Sequence, residues 1–324
     1  MPAPDGHLDT AAEQVVAPPP SAATIAPSDA EAGAGAPPVT RAQRQRRLGV
    51  AGVLAIGWLA FVTLAALLAP VLPLEPPNKS IASIVSQGPG TDGHLLGGDA
   101  LGRDILSRMV WGGRSSLLLG VCSVLLGLVA GGLLGLMAGY FRGRVDTVLT
   151  VAFDVLLSFP ALILAVTLVT VFASGQGTSA TRRMVVLILA LGVVSIPLLG
   201  RITRANTLAW GQREFVTAAR ALGAKDRSIM FGEVLPNVLP AMFSIALLGI
   251  AVVIVAEGGL SLLGVGVQLP TPSWGNILAE GRADLRRAPH IVMVPTVVIF
   301  LTVLALNYLG DVVRARFDVR ESAL

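Results

Sequence analysis

Six runs of apolar residues, each long enough to cross the hydrocarbon core of a bilayer as a helix, constrain this chain more than any other feature. Backbone N–H and C=O groups cannot stay unpaired in lipid, so each run is predicted to be an α-helix. The predicted spans are 48–72, 115–140, 147–173, 184–202, 241–263 and 291–309. The expected fold class is therefore an all-α integral membrane protein with six transmembrane helices.

The composition agrees with residence in a membrane. Apolar residues make up 53% of the chain, charged residues 14%, and the mean hydropathy is +0.74. A soluble domain would be far more polar. The formal net charge of +4 would suit nucleic acid, but arginines that flank membrane spans account for it, so we expect no nucleic-acid partner. The single cysteine, Cys122, excludes an intramolecular disulfide and a cysteine cluster for metal.

The chain divides into segments of different composition. Residues 1–43 are rich in Ala and Pro, cannot bury a core, and are predicted to be a disordered tail. Residues 44–114 hold the first span and the segment that follows it, residues 115–312 hold the membrane core, and residues 313–324 form a C-terminal tail. With both termini in the cytoplasm, fifteen of the 24 Lys and Arg residues lie on the cytoplasmic side and nine on the other. The positive-inside rule favours that orientation.

A basic segment between the fourth and fifth spans, residues 213–237, is predicted to be a helical hairpin on the cytoplasmic side. Helical spacing gives its first helix an apolar face and an opposite polar face. These are Phe215, Ala218, Ala219 and Leu222 on the apolar face, and Arg213, Thr217 and Arg220 on the polar one. Gly223 offers the left-handed conformation that ends a helix, and Asp226 favours the first turn of a second one. One face can bury while the other binds a partner.

The hairpin resembles the EAA loop of ABC-importer permeases, in which a glutamate and two alanines precede a glycine by a fixed interval and a Leu-Pro follows. The matching positions are Thr217, Ala218, Ala219, Gly223, Leu235 and Pro236. Thr217 replaces the family glutamate, and Glu214 lies about one turn earlier. The resemblance implies a coupling loop at about 207–240 that contacts ATPase subunits. The residues expected at that contact are Glu214, Phe215, Thr217, Ala218, Ala219, Arg220, Leu222, Gly223, Ala224 and Asp226.

Further segments are similar to the C-type permeases of dipeptide, oligopeptide and nickel importers. They are LLGGDALGRDILSR (95–108), GRSSL (113–117), DVLLSFP (154–160), LSLLGVGVQLPTPSWG (260–275) and LGD (309–311). This resemblance covers about 44–320. It implies a type I ABC-importer permease fold in the bacterial cytoplasmic membrane. It also implies a homologous B-type permease as heterodimer partner, two cytoplasmic ATPase subunits, an extracytoplasmic substrate-binding protein and a peptide substrate.

The segment before the second span is predicted to be an interfacial helix. Leu101, Ile105 and Met109 form its apolar stripe, and Arg103, Asp104 and Arg108 form its polar edges. The prolines at 270 and 272 and the residues after them are expected to form a loop or a re-entrant turn. By family analogy Arg103, Asp104, Arg108 and Trp274 lie beneath the substrate-binding protein. The alternative for the helix is a plain anchor at the membrane surface.

Two acidic residues, Asp154 and Glu257, fall inside predicted spans. A charge at mid-bilayer costs about 2.5 to 3.5 kcal/mol on the lenient insertion scale, so both must face protein or water, or be protonated. Each is a candidate for lining a translocation path that recognises the ammonium group of a peptide. The alternative is structural pairing between helices.

Residues for catalysis do not emerge from the sequence. Neither Lys79 nor Lys225 stands in a Walker A motif, and the three histidines lack the spacing of a metal site. We therefore expect a transport subunit with no catalytic residue, metal or cofactor, and ATP hydrolysis on partner subunits. The runner-up is a nickel-importer permease of the same family. A secondary transporter would show repeated halves, and an intramembrane enzyme would need convergent reactive groups.

Overall fold

The structure is a computed structural model that describes residues 49–173 and 179–321, with side chains described to residue 316. The predicted tail, residues 1–43, lies outside the described residues, and its disorder stays a prediction. The helices are α1 (Val50–Leu68), α2 (Ile105–Phe141), α3 (Gly143–Ser158), α4 (Ala161–Ala173), α5 (Ala180–Trp210), α6 (Glu214–Ala221), α7 (Asp226–Ser228), α8 (Leu235–Leu262), α9 (Trp274–Gly281) and α10 (His290–Glu321).

Five helical stretches of the described chain are long and apolar enough to cross a membrane. They are α1, α2, α5, the continuous helical stretch Asp226–Leu262 and α10. These correspond to predicted spans one, two, four, five and six. α2 begins at Ile105, well before the predicted start at 115. α10 runs to Glu321, through most of the segment predicted to be a tail.

The third predicted span is not one helix. α3 and α4 are bent by 86° at the short break between them, so the prediction of a continuous helix over 147–173 is wrong. Pro160 has no N–H to donate, and its ring disfavours a helical conformation at the residue before it. Phe159 accordingly has φ −84° and ψ 133°, an extended conformation. Within the described residues, a sixth crossing exists only if this bent pair counts as one span.

The backbones of α2 and α5 touch along a row of glycines. Gly127, Gly131, Gly135 and Gly139 recur every fourth residue and so share one face of α2. A Cβ atom would lie 2.4 Å from the carbonyl oxygen of Ile196 at Gly131, and 2.2 Å from that of Gly200 at Gly135. Because no side chain fits there, the small residues bring the two helices into direct contact.

Helix α8 packs against α2, α5 and α10, and α1 packs against α2 and α10. Buried apolar residues from α2, α4, α5 and α8 form one cluster, and those from α1, α2, α8, α9 and α10 form another. Polar contacts join the same helices. Trp58 Nε1 on α1 donates to Thr302 Oγ1 on α10 over 3.1 Å, and Ser244 Oγ on α8 donates to the Gly310 oxygen on α10 over 2.8 Å.

Helix α2 connects the two ends of this bundle. It has 37 residues, which at 1.5 Å per residue makes it about 55 Å long. Its last turns contact the hairpin, and we call this the hairpin end. Its first turns contact α9 and the loop that precedes α2, and we call this the opposite end. The candidate functional residues lie at these two ends.

Candidate functional site

The first helix of the hairpin, α6, is attached to the bundle through a different face from the one predicted. Val216 is fully buried and Ala219 half-buried, whereas Phe215 and Leu222 are 37% and 88% exposed. The prediction that Phe215, Ala218, Ala219 and Leu222 form the buried stripe is therefore wrong. Apolar residues occur all around this short helix, so periodicity alone did not distinguish the two faces.

The turn of the hairpin is built as predicted. Gly223 has φ +80°, the left-handed region that a residue with a Cβ atom rarely adopts. The Ala224 N–H donates to the Ala219 oxygen over 3.0 Å, which closes the end of α6. A Cβ atom at Gly223 would meet nothing within 4 Å. The requirement for glycine is therefore conformational and does not come from lack of space. Asp226 then opens α7, as expected.

A π-helical turn, Ile229–Val234, joins α7 to α8. Ile229, Met230 and Val234 are buried against the hairpin end of α2. A π turn inserts one extra residue into a helix and often marks a functional site. The Leu-Pro pair that matches the family motif, Leu235 and Pro236, follows directly and begins α8.

The hairpin presents its remaining residues to the outside. Of the predicted contact residues, only Ala219 is half-buried. The exposed ones are Glu214, Phe215, Thr217, Ala218, Arg220, Leu222, Gly223, Ala224 and Asp226. This surface combines exposed apolar side chains with charges of both signs, a composition that suits contact with another protein.

The opposite end of the bundle holds a group of four charged residues, Asp99, Arg103, Arg108 and Glu280, which we call the ion cluster. Asp99 Oδ2 accepts from Arg103 Nε over 2.7 Å and from Arg108 Nη1 over 2.5 Å. Glu280 Oε2 accepts from Arg103 Nη2 over 2.8 Å and from Arg108 Nη1 over 2.7 Å. Cations and carboxylates alternate, so the formal charges cancel, which is the condition for burying them.

Burial of the ion cluster changes the expected role of its residues. Arg103 and Arg108 are buried, and so is Asp104, which caps α2 through a 2.7 Å bond from the Ser107 N–H and contacts His94 Nδ1 over 3.0 Å. The separate interfacial helix predicted before span two does not exist, because α2 itself begins at Ile105. In this structure these side chains lie inside the protein and do not form an exposed surface for a binding protein.

Trp274 is buried as well, at the start of α9. Its Nε1 donates to the Met109 oxygen over 2.9 Å, and its backbone N–H donates to Ser116 Oγ over 3.1 Å. The loop predicted from the two prolines ends at Ser273, which caps α9 together with Asn276. Trp274 therefore ties α9 to α2 from within. The side chains exposed at this end include Leu95, Leu101 and Leu269.

The two acidic residues of the predicted spans have different surroundings. Asp154 on α3 is half-exposed and forms an ion pair with Arg201 on α5. A second ion pair joins the same helices, with Arg204 Nη2 donating to Asp146 Oδ2 over 2.7 Å. These contacts are the structural pairing that the sequence left open, although Asp154 also stays accessible.

Glu257 on α8 is 1% exposed and faces the start of α9. Its Oε1 accepts from Ser261 Oγ and from Ser273 Oγ, each over 2.8 Å. A Cβ atom on Gly275 would lie 2.6 Å from Glu257 Oε2, so the glycine lets α9 approach the carboxylate. In this structure the buried Glu257 carboxylate joins α8 to the start of α9, and its part in a translocation path stays a prediction.

Comparison with known proteins agrees with this architecture. Residues 131–322 match the family described as "Binding-protein-dependent transport system inner membrane component". The glutathione transport system permease protein GsiD of Pectobacterium atrosepticum is 37% identical over 248 residues, which cover 76% of this chain and 79% of that protein. The GsiD protein of Escherichia coli O6:K15:H31 is 38% identical over 276 residues, which cover 85% of this chain and 88% of that protein.

A solved structure shares the fold. A chain of the MetNI methionine ABC transporter in an inward-facing conformation superposes with a TM-score of 0.53 at 21% sequence identity. The match covers 64% of this chain and 94% of that one. The predicted all-helical fold of an ABC-importer permease is thereby confirmed.

Proposed function

The chain belongs to the binding-protein-dependent transport system inner membrane components, and from that membership we propose that it moves di- or oligopeptides across the cytoplasmic membrane. It is a multi-pass permease subunit of an ABC importer in the inner membrane. The relatives described above are named for glutathione, which is a tripeptide. Identity of 37% and 38% over three quarters or more of this chain supports a small peptide as its cargo as well.

The observation that carries the coupling part of the proposal is the exposed surface of the hairpin. Val216 anchors α6, Gly223 fixes the turn, and Thr217, Ala218, Arg220 and Leu222 between them are exposed. We propose that cytoplasmic ATPase subunits bind this surface and hydrolyse ATP, and that this chain is a transport subunit that does not itself hydrolyse ATP. Phe215 and Leu222 supply apolar contact, and Arg220 and Asp226 supply charge.

The proposed assembly has four kinds of partner besides membrane lipid. A homologous B-type permease forms a heterodimer with this chain, and two ATPase subunits bind the pair. A substrate-binding protein delivers peptide to the opposite end. The buried Arg103, Asp104, Arg108 and Trp274 support that end from within, and exposed neighbours such as Leu101 are better placed for contact.

The proposed orientation puts the hairpin end in the cytoplasm. The distribution of Lys and Arg beside the spans supports it, and it places both termini, with the tail of residues 1–43, on the cytoplasmic side. In that orientation Asp154 lies in the cytoplasmic half and is half-exposed, so it is the better candidate of the two acidic residues for contact with a peptide ammonium group.

Uptake by the complete importer in proteoliposomes tests the cargo. The expected result is ATP-dependent accumulation of a labelled di- or tripeptide. An excess of unlabelled peptide should reduce this accumulation by competition. None of the relatives described above is named for nickel, and we expect no accumulation of ⁶³Ni²⁺ in the parallel arm. Nickel uptake without peptide uptake would replace the proposal by its runner-up. Transport by this chain without ATPase subunits would indicate a secondary transporter.

A further inference from the structure

A polar side-chain contact joins the hairpin to α2, although the two are not adjacent along the chain. Along the chain, the hairpin is joined only to α5 before it and to α8 after it. Tyr140, in the last turn of α2, donates its hydroxyl to Asp226 Oδ1 over 2.7 Å. The guanidinium of Arg220 lies 5.3 Å from the centroid of the same ring. Tyr140 therefore contacts both arms of the hairpin, α6 through Arg220 and α7 through Asp226.

The surroundings of Tyr140 make this a defined contact. The residue is 7% exposed and packs in an apolar cluster with Leu136, Val216, Ile229 and Met230. A hydrogen bond to a carboxylate is stronger than one between neutral groups, and a cation over an aromatic face adds attraction. Arg220 and Asp226 are exposed and can meet a partner from outside, whereas Tyr140 reaches them from inside.

Helix α2 can carry a displacement from this contact to the other end of the bundle. Its glycine row holds it directly against α5, so the two helices form one packed unit. Met109 and Ser116, near its start, bind Trp274 of α9. Arg108 binds Glu280 at the far end of α9. A movement of Asp226 thus has a continuous route of packed and hydrogen-bonded groups to α9.

We propose that Tyr140 is a positioning residue for energy coupling. Its hydroxyl and ring hold both arms of the hairpin on α2, so that a movement imposed on the hairpin displaces α2 and, through it, α9. The proposal rests on the proposed function, in which ATPase subunits act on the hairpin. Tyr140 lies outside the residues matched to the family loop. In this proposal it passes the movement of the hairpin, which the ATPase subunits impose, to the helix bundle.

The test uses the complete importer, with peptide uptake and ATP hydrolysis measured on the same proteoliposomes. Tyr140→Phe removes the hydroxyl and keeps the ring. Peptide taken up per ATP hydrolysed is expected to fall about tenfold, which corresponds to about 1.4 kcal/mol, while the ATPase subunits still copurify. Tyr308→Phe, the same substitution at the other tyrosine of the chain, is the matched control and should keep the normal ratio. An unchanged ratio in Tyr140→Phe would overturn the proposal.

A double-mutant cycle tests whether Tyr140 acts through its hydrogen bond to Asp226. Asp226→Ala removes the acceptor, and it is expected to lower the same ratio. Because both substitutions break one hydrogen bond, the double variant should be no worse than the more severe single one. Effects that multiply would contradict the proposal. All ratios refer to assembled complex, so a loss of folded subunit does not mimic uncoupling.

Gly223→Val distinguishes this inference from the proposed function. If both Gly223→Val and Tyr140→Phe couple normally, the hairpin does not transmit movement from the ATPase subunits. The proposed role of the hairpin and that of Tyr140 are then both wrong. If Gly223→Val uncouples and Tyr140→Phe does not, only the role of Tyr140 fails.

Discussion

Arg108 and Glu280 lie 172 positions apart in the chain, yet Arg108 Nη1 donates to Glu280 Oε2 over 2.7 Å. This contact joins the first turns of α2 to the end of α9, with Asp99 on the other side of the same guanidinium nitrogen. The ion cluster and the hydrogen bonds of Trp274 together fix α9 on α2. The end of the bundle that faces away from the hairpin is therefore held by named polar contacts as well as by apolar packing.

Removal of the buried cation Arg108 should lower the stability of the subunit strongly. Arg108→Met leaves the buried Asp99 and the half-buried Glu280 with Arg103 as the one remaining cation of the ion cluster, and breaking a buried ion pair in this way costs about 3 to 5 kcal/mol. We expect a clear drop in the thermal unfolding midpoint of the purified complex in detergent. Arg286→Met, on an exposed arginine of the same end, is the control and should change stability by less than about 0.5 kcal/mol. Equal midpoints for the two variants would contradict the role given to the ion cluster.

Substitution at the turn of the hairpin should uncouple the importer. Gly223→Val places a β-branched residue at φ +80°, where an L residue costs about 1 to 2 kcal/mol or more, so the turn must rearrange. We expect normal insertion and continued ATP hydrolysis with little peptide uptake. Gly232→Val is the matched control, because Gly232 has equally open space around it and no positive φ. Normal uptake by Gly223→Val would refute the hairpin as the coupling element.

The glycine row should tolerate no side chain. Gly135→Ala puts a Cβ atom 2.2 Å from the Gly200 oxygen, so α2 and α5 must separate. Overpacking of this kind costs about 1 to 3 kcal/mol. The expected result is a lower unfolding midpoint and less folded subunit in the membrane. Gly57→Ala on α1, where a Cβ atom meets nothing within 4 Å, should behave as the parent protein does. If the two variants are equally stable, the backbones of α2 and α5 are not in contact.

Substitutions of Glu257 discriminate between a support for α9 and a residue of the path. Glu257→Gln keeps an oxygen that accepts from Ser261 and Ser273, so it should keep most of the uptake with an unchanged KM for peptide. Glu257→Ala leaves the Ser261 and Ser273 hydroxyls without the acceptor of their hydrogen bonds, at about 1 to 3 kcal/mol, and should lower stability. A KM that rises in Glu257→Gln for peptides with a free amino group, but not for acetylated ones, would instead indicate that the carboxylate binds the peptide.

The positions of most long helices could be predicted from the sequence, but their ends could be predicted less well. Hydropathy placed the start of the second span at 115, because the two arginines at 108 and 114 interrupt the apolar run. Arg108 is nevertheless in α2, since Asp99 and Glu280 neutralise it. A partner so distant in sequence gives no signal in a hydropathy window. The break in the third span did have a signal, Pro160, but apolar residues on both sides of it concealed the break.

In the hairpin, too, some features could be predicted from the sequence and others could not. The conformation of Gly223 could be predicted because it depends on one residue type at the end of a helix. The buried face of α6 could not, because it depends on which side chain, Val216 or Phe215, meets α2 and α8. Tyr140 gave no signal beyond an aromatic residue at the end of a span, which is typical of a membrane interface. Its role follows only from the contact with Asp226.

Site-directed labelling and crosslinking at Leu222 test whether the hairpin is the cytoplasmic contact for the ATPase subunits, because this side chain is 88% exposed at the tip of the hairpin. In a Cys122→Ser background, Leu222→Cys should crosslink to an ATPase subunit, with a yield that changes when nucleotide is bound. Leu95→Cys, exposed at the opposite end, should react with a membrane-impermeant thiol reagent added outside the cell. If the hairpin lies in the cytoplasm, Leu222→Cys is protected from that reagent. Labelling of Leu222→Cys from outside, with no crosslink to an ATPase subunit, would contradict this role of the hairpin.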